Sequence, residues 1–291
     1  MKKILITGAN SYSEERLKGS EINYSVLMSV YFKENPEYFK EAIESIFNQT
    51  YLTNDFVLVC DGPLTKELDQ IVINFEKRFE AFHVYRLDEN VGLGNALNFG
   101  LAKCKNELVA RMDSDDISLP TRCEVELKMF EDDHEIVLVS SPILEFFDNT
   151  KIITGNRNVP EKQSEIIKFS KKRNPFNHPA VMFKKSVIQK VGGYDESYHS
   201  FEDYYLWVRV LKEGFNTRNA KEPLLLMRTP DNFYLRRGGW SYAKNLLRFN
   251  NWMKGIGWIS ISDYISSALP HALICVLPNN IRKYIYKKLH T

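Results

Sequence analysis

Three carboxylates, Asp113, Asp115 and Asp116, follow directly on the apolar run Leu108-Val109-Ala110-Arg111-Met112. A short run of this kind reads as a buried strand, so the acids stand where that strand should end. Open parallel α/β sheets bind ligands at the carboxyl ends of their strands. Oxygen-only ligands at such an edge suit a hard divalent cation, Mg²⁺ or Mn²⁺, able to bridge to a phosphate-bearing substrate. An Asp-x-Asp alone is common, and its plain alternative is a solvated acidic turn before the helix that follows Pro120.

Other polar residues occupy comparable positions. A second apolar run, Phe56 to Cys60, ends at the turn Asp61-Gly62-Pro63. Asn90 and the Gly92-Leu93-Gly94 turn precede a helical stretch, where glycine lets backbone approach a ligand closely. Glu202 and Asp203 open another helix, Phe201 to Gly214, where acids at least complement the helix dipole. No Ser-His-Asp or Cys-His signature for covalent catalysis is present.

The elements that must position these residues alternate regularly from Asn23. Tyr24 to Tyr31 reads as a strand, and Pro36 opens a helix with Phe39, Ile43, Ile46 and Phe47 at helical spacing. After Phe56 to Cys60 come a helix through Leu68, Ile71, Val72 and Phe75, and a strand from Phe82 to Tyr85. Leu93, Ala96, Leu97 and Leu101 mark the next helix, before the Leu108 to Met112 strand. Strict succession of strand and helix implies right-handed crossovers and a mostly parallel sheet covered on both faces. Ile136 to Val139 and Ile143 to Phe147 are read as further strands, the second antiparallel because the gap is short. Asn174 to Phe183 reads as a loop running into a strand.

At 291 residues the chain can bury a full core, and 44% hydrophobic with 26% charged residues is ordinary for a folded domain. The net charge of +2 gives no reason to expect nucleic acid as a partner. Cys60, Cys104, Cys123 and Cys275 lie far apart, so buried free thiols and a reducing cytoplasm are expected. The apolar part after Lys2-Lys3 is too short for a secretion signal, and none is expected.

Taken together, the motifs have an order. They run Ser29-Val30-Tyr31 ahead of Asn35, Asp61-Gly62, Asn90-Val91-Gly92-Leu93-Gly94-Asn95-Ala96-Leu97-Asn98, and Arg111 to Asp116. His178-Pro179-Ala180, Gly192-Gly193-Tyr194-Asp195 and Phe201-Glu202-Asp203-Tyr204-Tyr205-Leu206-Trp207 follow. Over roughly residues 23 to 250 this order resembles family 2 glycosyltransferases, above all bacterial members that build capsule, exopolysaccharide and O-antigen units. Arg236-Arg237-Gly238-Gly239 belongs to the resemblance.

The resemblance implies an inverting enzyme with the GT-A fold: an α/β architecture, mostly parallel sheet flanked by helices, here with a C-terminal helical extension. Ser29 and Tyr31 would bind the donor, a UDP-sugar, with Asp61 accepting a hydrogen bond from the uracil N3–H and Asn90 and Gly92 beside it. Asp113 would meet the ribose or, with Asp115 and His178, the metal, Mn²⁺ or Mg²⁺. Asp116 would contact the donor sugar or stand in solvent, and Arg111 would steady the carboxylates or reach the donor. Asp203 would be the general base, with Glu202 second. Trp207 would wall a sugar or sit in the core. Arg228, Arg236 and Arg237 would neutralise the departing diphosphate, with Gly238-Gly239 as a hinge.

Residues 1–22 form an extension apart from the 23–250 catalytic domain. Their start is similar to that of a nicotinamide-dependent sugar epimerase, but Ser13-Glu14-Glu15-Arg16 replaces the glycine needed there. Residues 251–291 read as helical and basic. Arg282, Lys283, Lys287 and Lys288, interleaved with Ile281, Ile285 and Leu289, suit an anionic surface. The resemblance therefore implies a cytoplasmic enzyme, peripheral at the inner face of the membrane, with a polyprenyl-diphosphate-linked saccharide as acceptor. Two other readings compete. A nucleotidyltransferase would carry a glycine-rich loop near the first strand, and residues 23–40 hold no glycine. A silent nucleotide-sugar-binding subunit would be expected to lack one of Asp113, Asp115 or Asp203.

Overall fold

Largely apolar strands build the centre of the molecule. The computed structural model describes residues 22–198, 200–229, 238–278, 281, 282 and 285. Expectations for residues 1–21, Arg236, Arg237, Lys283, Lys287, Lys288 and Leu289 lie outside these. The chain runs β1 (Tyr24–Val30), α1 (Pro36–Phe47), β2 (Asp55–Cys60), α2 (Lys66–Arg78), β3 (Phe82–Arg86), α3 (Leu93–Lys103) and β4 (Leu108–Met112). β5 (Ile117–Ser118), α4 (Arg122–Asp132), β6 (Ile136–Ser140), β7 (Ile143–Phe146), β8 (Ile153–Arg157) and α5 (Gln163–Phe169) follow. A 3₁₀ turn (His178–Ala180), β9 (Met182–Lys184), α6 (Lys185–Lys190) and a second 3₁₀ turn (Glu196–Tyr198) lead to α7 (Glu202–Lys212). The remainder is β10 (Asn216–Asn219), β11 (Leu225–Arg228), α8 (Trp240–Gly255), α9 (Ile261–Asp263), a π turn (Tyr264–Ala268) and α10 (Leu269–Val276).

Seven strands form the main sheet in the order β10-β6-β9-β4-β1-β2-β3. β1 pairs in parallel with both β2 and β4, while β9 lies antiparallel between β4 and β6. Alternate residues of β1 and β2 serve opposite faces. Val26, Met28, Phe56 and Leu58 pack under α1, α2 and α4, whereas Leu27, Val57 and Val59 pack under α3, α6 and α7. A Cβ at Gly100 of α3 would stand 2.5 Å from Leu27 Cδ1, so glycine there sets how closely that helix approaches the sheet. Asn35 caps α1, accepting from the Glu37 and Tyr38 amides at 2.9 and 3.4 Å, with Pro36 in the first turn.

β7 departs from expectation. It pairs in parallel with β11 and antiparallel with β8, in a second sheet ordered β5-β11-β7-β8, and has no pairing with β6. The two-residue gap after β6 turns the chain out of the main sheet instead of reversing it within. The third apolar cluster joins Phe201 and α7 (Tyr204, Val208) to α8 (Leu246, Phe249) and α10 (Ala272, Cys275).

Candidate active site

The chain leaves β1 toward β2 and β3, then crosses to the other side for β4, so the switch point of the sheet lies between β1 and β4. Ligands bind outside the carboxyl ends of the strands at such a reversal. That edge carries Ser29, half-buried and in register with Val59, the exposed Tyr31, Asp61 after β2, and the acids after β4.

Oxygen atoms of Asp113, Asp115 and Asp116 all lie within 4.8 Å of one another. Arg111, buried on β4, donates to Asp113 Oδ1. It therefore steadies a carboxylate, one of the two roles expected of it. Arg122, buried in α4, donates to the Arg111 carbonyl at 2.8 Å and to Glu126 at 3.1 Å, fixing this strand end from behind. Asp116 is buried rather than solvated, and accepts from the Arg228 amide at 2.8 Å. Ser114 Oγ donates to Glu34 at 2.5 Å. Burial, then the neighbouring Asp113 and Glu34, pushes the Asp115 carboxyl up to about 7, and burial with Asp115 and Asp113 raises Asp116 well above the usual range. Crowded carboxylates that resist full ionisation are relieved by a bound cation, and an all-oxygen donor set fits a hard divalent ion. His178 is not part of this group. Its Nε2 pairs with Tyr194 Oη at 2.9 Å, and burial followed by the Arg111 charge holds it well below its ordinary pKa, as neutral imidazole.

Arg228 is similarly committed. Its Nε donates to the Asp115 carbonyl at 3.0 Å and its Nη2 to Glu41 at 2.6 Å. The guanidinium also lies 3.7 Å from the Tyr38 ring centroid and 4.5 Å from that of Phe146. These contacts brace the aspartate turn, beside which the resemblance implies a diphosphate. Gly238 and Gly239, read as a hinge, are docked on the C-terminal helices, where the Gly239 amide donates to the Cys275 carbonyl at 2.8 Å.

Asp61 is buried and accepts from the Val91 amide at 2.7 Å and from Asn90 Nδ2 at 2.9 Å. The expected pair is thus brought together, with Asp61 organising the turn after β3. The glycines of that turn approach something the sequence did not suggest. Glu196 accepts from the Gly94 and Asn95 amides at 2.5 and 3.1 Å, capping α3 with a carboxylate supplied from about a hundred residues away. A Cβ at Gly92, whose φ is +89°, would meet that carboxylate at 3.0 Å. Asn98, inside α3, grips Tyr194 through both backbone groups at 2.8 Å. An asparagine amid apolar helix residues was the available signal, since helix interiors disfavour it.

Asp203 and Glu202 start α7, both half-buried. Asp203 Oδ2 accepts from Asn174 Nδ2 at 2.7 Å. Tyr194, with its hydroxyl on His178, lies in the field of both Asp203 and Asp113. Trp207 is fully buried among Phe176, Phe183 and Tyr194, so it belongs to the core.

Residues 25–192 match Glycosyl transferase family 2. The chain is 38% identical over 266 residues to the Escherichia coli UDP-Gal:alpha-D-GlcNAc-diphosphoundecaprenol beta-1,3-galactosyltransferase, covering 91% of this chain and 96% of that one. It is 33% identical over 268 residues to the Erwinia amylovora amylovoran biosynthesis glycosyltransferase AmsE, covering 91% and 98%. Among solved structures, the Pyrobaculum calidifontis mannosyltransferase PcManGT in complex with GDP-Man and Mn²⁺ superposes with a TM-score of 0.60 at 16% identity, covering 92% and 80%. S. aureus TarS 1–349 in complex with UDP-GlcNAc gives 0.59 at 16%, covering 78% and 65%. The structural likenesses establish the GT-A fold, and the sequence kinship reaches nearly end to end: this chain is a glycosyltransferase and belongs to glycosyl transferase family 2.

Proposed function

We propose that this enzyme transfers a hexose or N-acetylhexosamine from a UDP-sugar to a hydroxyl of a saccharide carried on a polyprenyl diphosphate, inverting the anomeric carbon. The reaction belongs to surface-polysaccharide assembly at the inner face of the cell membrane, with residues 23–250 as the catalytic domain. The observation that carries this reading is the all-carboxylate cluster at the switch point, with a separate acid, Asp203, opening α7. The names of relatives support the substrates: one acts on a GlcNAc-diphosphoundecaprenol acceptor with UDP-Gal, and one fold neighbour was solved with UDP-GlcNAc.

Asp113, Asp115 and Asp116 would hold Mn²⁺ or Mg²⁺, which supplies charge neutralisation for the leaving diphosphate when bound. Arg111 and Arg228 keep that turn in shape, while Asp61, Asn90 and Gly92, with Ser29 and Tyr31, form the nucleotide side. Arg236 and Arg237, outside the described residues, would neutralise the departing diphosphate, as the resemblance implies. Asp203, with Glu202 as second candidate, removes the acceptor hydroxyl proton as that oxygen attacks opposite the departing UDP. The presence of Asp113, Asp115 and Asp203 disfavours a silent subunit.

The test is turnover of a panel of UDP-sugars with a synthetic GlcNAc-diphosphate lipid, with and without chelator. NMR then reads the anomeric configuration of the product. Metal-dependent transfer with inversion is expected. Transfer unaffected by chelator, or with retention, would overturn the mechanism.

A further inference from the structure

The helical run α9, π turn and α10 presents a row of large apolar side chains to solvent. Ile261 is 69% exposed, Ile265 57%, Leu269 39% and Leu273 67%. A uniform helix of about 3.6 residues per turn would let a row at every fourth position drift sideways. The wider π turn at Tyr264–Ala268 takes part of that drift back, keeping the row on one side. Its exposed neighbours Ser262, Ser266 and Pro270 carry no charge. Ala268, Ala272 and Cys275, on the other side, are buried.

Two further observations say what covers this row. Trp240, 81% exposed, follows Gly239, whose amide binds the Cys275 carbonyl, so a bare aromatic ring stands beside the end of α10. Residues 238–291 contain seven Lys or Arg and a single acid, Asp263, giving +6 where residues 1–237 carry −4. Among the described residues no helix is long and apolar enough to cross a membrane. An uncharged apolar row within a strongly basic segment matches the boundary layer of an anionic bilayer.

We propose that the Ile261–Ile265–Leu269–Leu273 face docks in the headgroup boundary of an anionic lipid membrane. This deepens the reading of a lipid-linked acceptor and rests on it. Because α10 packs on α8 and α8 on α7, docking also orients the helix that opens with Asp203. The expected C-terminal tail is not the whole surface. Arg282 turns inward, buried, donating to the Cys275 carbonyl at 3.1 Å instead of facing lipid.

The test is flotation of the full chain with phosphatidylglycerol–phosphatidylethanolamine vesicles, against pure phosphatidylcholine. Binding should need phosphatidylglycerol, weaken in high salt, and fall at least tenfold in an Ile265→Ser, Leu269→Ser, Leu273→Ser variant. UDP–Mn²⁺ binding by that variant should stay at the parent level. Should the triple variant not fold, Ile261→Ser and Leu273→Ser are read singly, each with a several-fold loss. Undiminished flotation of the variants overturns the proposal, as does a parent dimer that the variants dissolve while neither floats, which would mark a second copy as the occupant. Normal UDP–Mn²⁺ binding without flotation defeats docking alone. Failure of the parent to bind UDP strikes the functional reading instead.

Discussion

The Arg228 amide donates to the buried Asp116 carboxylate at 2.8 Å, joining the last residue of β11 to the turn after β4. The same residue's side chain holds the Asp115 carbonyl and Glu41, so one arginine bridges β11, α1 and the acidic turn. The second sheet is thereby tied to the shape of the acidic turn.

Arg228→Ala should leave the backbone bond to Asp116 but free the Asp115 carbonyl. Losing two charged hydrogen bonds and two ring contacts should cost about 2–3 kcal/mol of stability. UDP–Mn²⁺ affinity should fall roughly tenfold, or about 1.4 kcal/mol. Lysine cannot reproduce a planar fork, so Arg228→Lys should restore little. Calorimetry with parent-like affinity for both variants would show that the turn keeps its shape unaided.

Asp115 should set a pH dependence on the proposed cation binding. With its carboxyl pushed up to about 7, Asp115 holds a proton below that pH, which a bound Mn²⁺ would displace. Mn²⁺ affinity should therefore climb as pH rises through about 7 and release protons into the buffer below it. Asp115→Asn keeps the volume, removes that charge, and should reduce the proton release, Asp116 still contributing, while removing most UDP affinity in Mn²⁺. Equal heats in two buffers of different ionisation enthalpy, for the parent at pH 6.5, would refute the linkage.

Gly94 and Glu196 should be energetically coupled. A Cβ at Gly94 would stand 2.8 Å from Glu196 Oε1, so Gly94→Ala pushes the capping carboxylate away from the α3 amides. Removing a cap typically costs about 0.5–2 kcal/mol. Urea unfolding of Gly94→Ala, Glu196→Ala and the double variant should give a cycle in which the alanine costs clearly less once Glu196 is gone. Additive losses would mean that the close approach is immaterial.

Much of the frame is legible in the sequence, because buried parallel strands are written as short, largely apolar runs. β1, β2, β3 and β4 fall within a residue or so of expectation. The pairing of β7 is not legible, for a physical reason: its partner β11 lies some eighty residues away, and pairing across that distance leaves no local trace. The acids of the switch point stand out by type and spacing. Their supports do not. Glu34, Glu41 and Glu196 look like ordinary surface acids, yet meet Ser114, Arg228 and Gly94 across 80, 187 and 102 positions. His178 and Trp207 show the converse, where a motif suggests ligand contact and packing claims the side chain.

The neutral His178 makes stability sensitive to acid. Its folded pKa lies below the ordinary 6.5, so below that pH the unfolded chain binds the extra proton. Its neutral form costs nothing above about 6.5, and stability drains as pH falls from there toward the folded value. His178→Gln removes this drain. The parent should lose more unfolding free energy than the variant between about pH 7.5 and 5. Parallel losses in urea titrations at several pH values would place the acid sensitivity elsewhere.

Asp203 should act on turnover more than on donor binding. Its Oδ2 accepts from Asn174 Nδ2 at 2.7 Å at the start of α7, and it is not a member of the group formed by Asp113, Asp115 and Asp116. Loss of a general base commonly lowers rate by ~10²–10⁴. Asp203→Asn should reduce kcat by that order with the KM for UDP-sugar little changed, because the donor is proposed to rest on the other acids. Asn174→Ala removes the orienting amide and should give a smaller fall in kcat with the same unchanged donor KM, as a positioning residue would. A collapse of donor affinity in Asp203→Asn would make Asp203 a donor ligand and pass the role of base to Glu202. Comparing Glu202→Gln under the same conditions then decides between two acids that share one helix start.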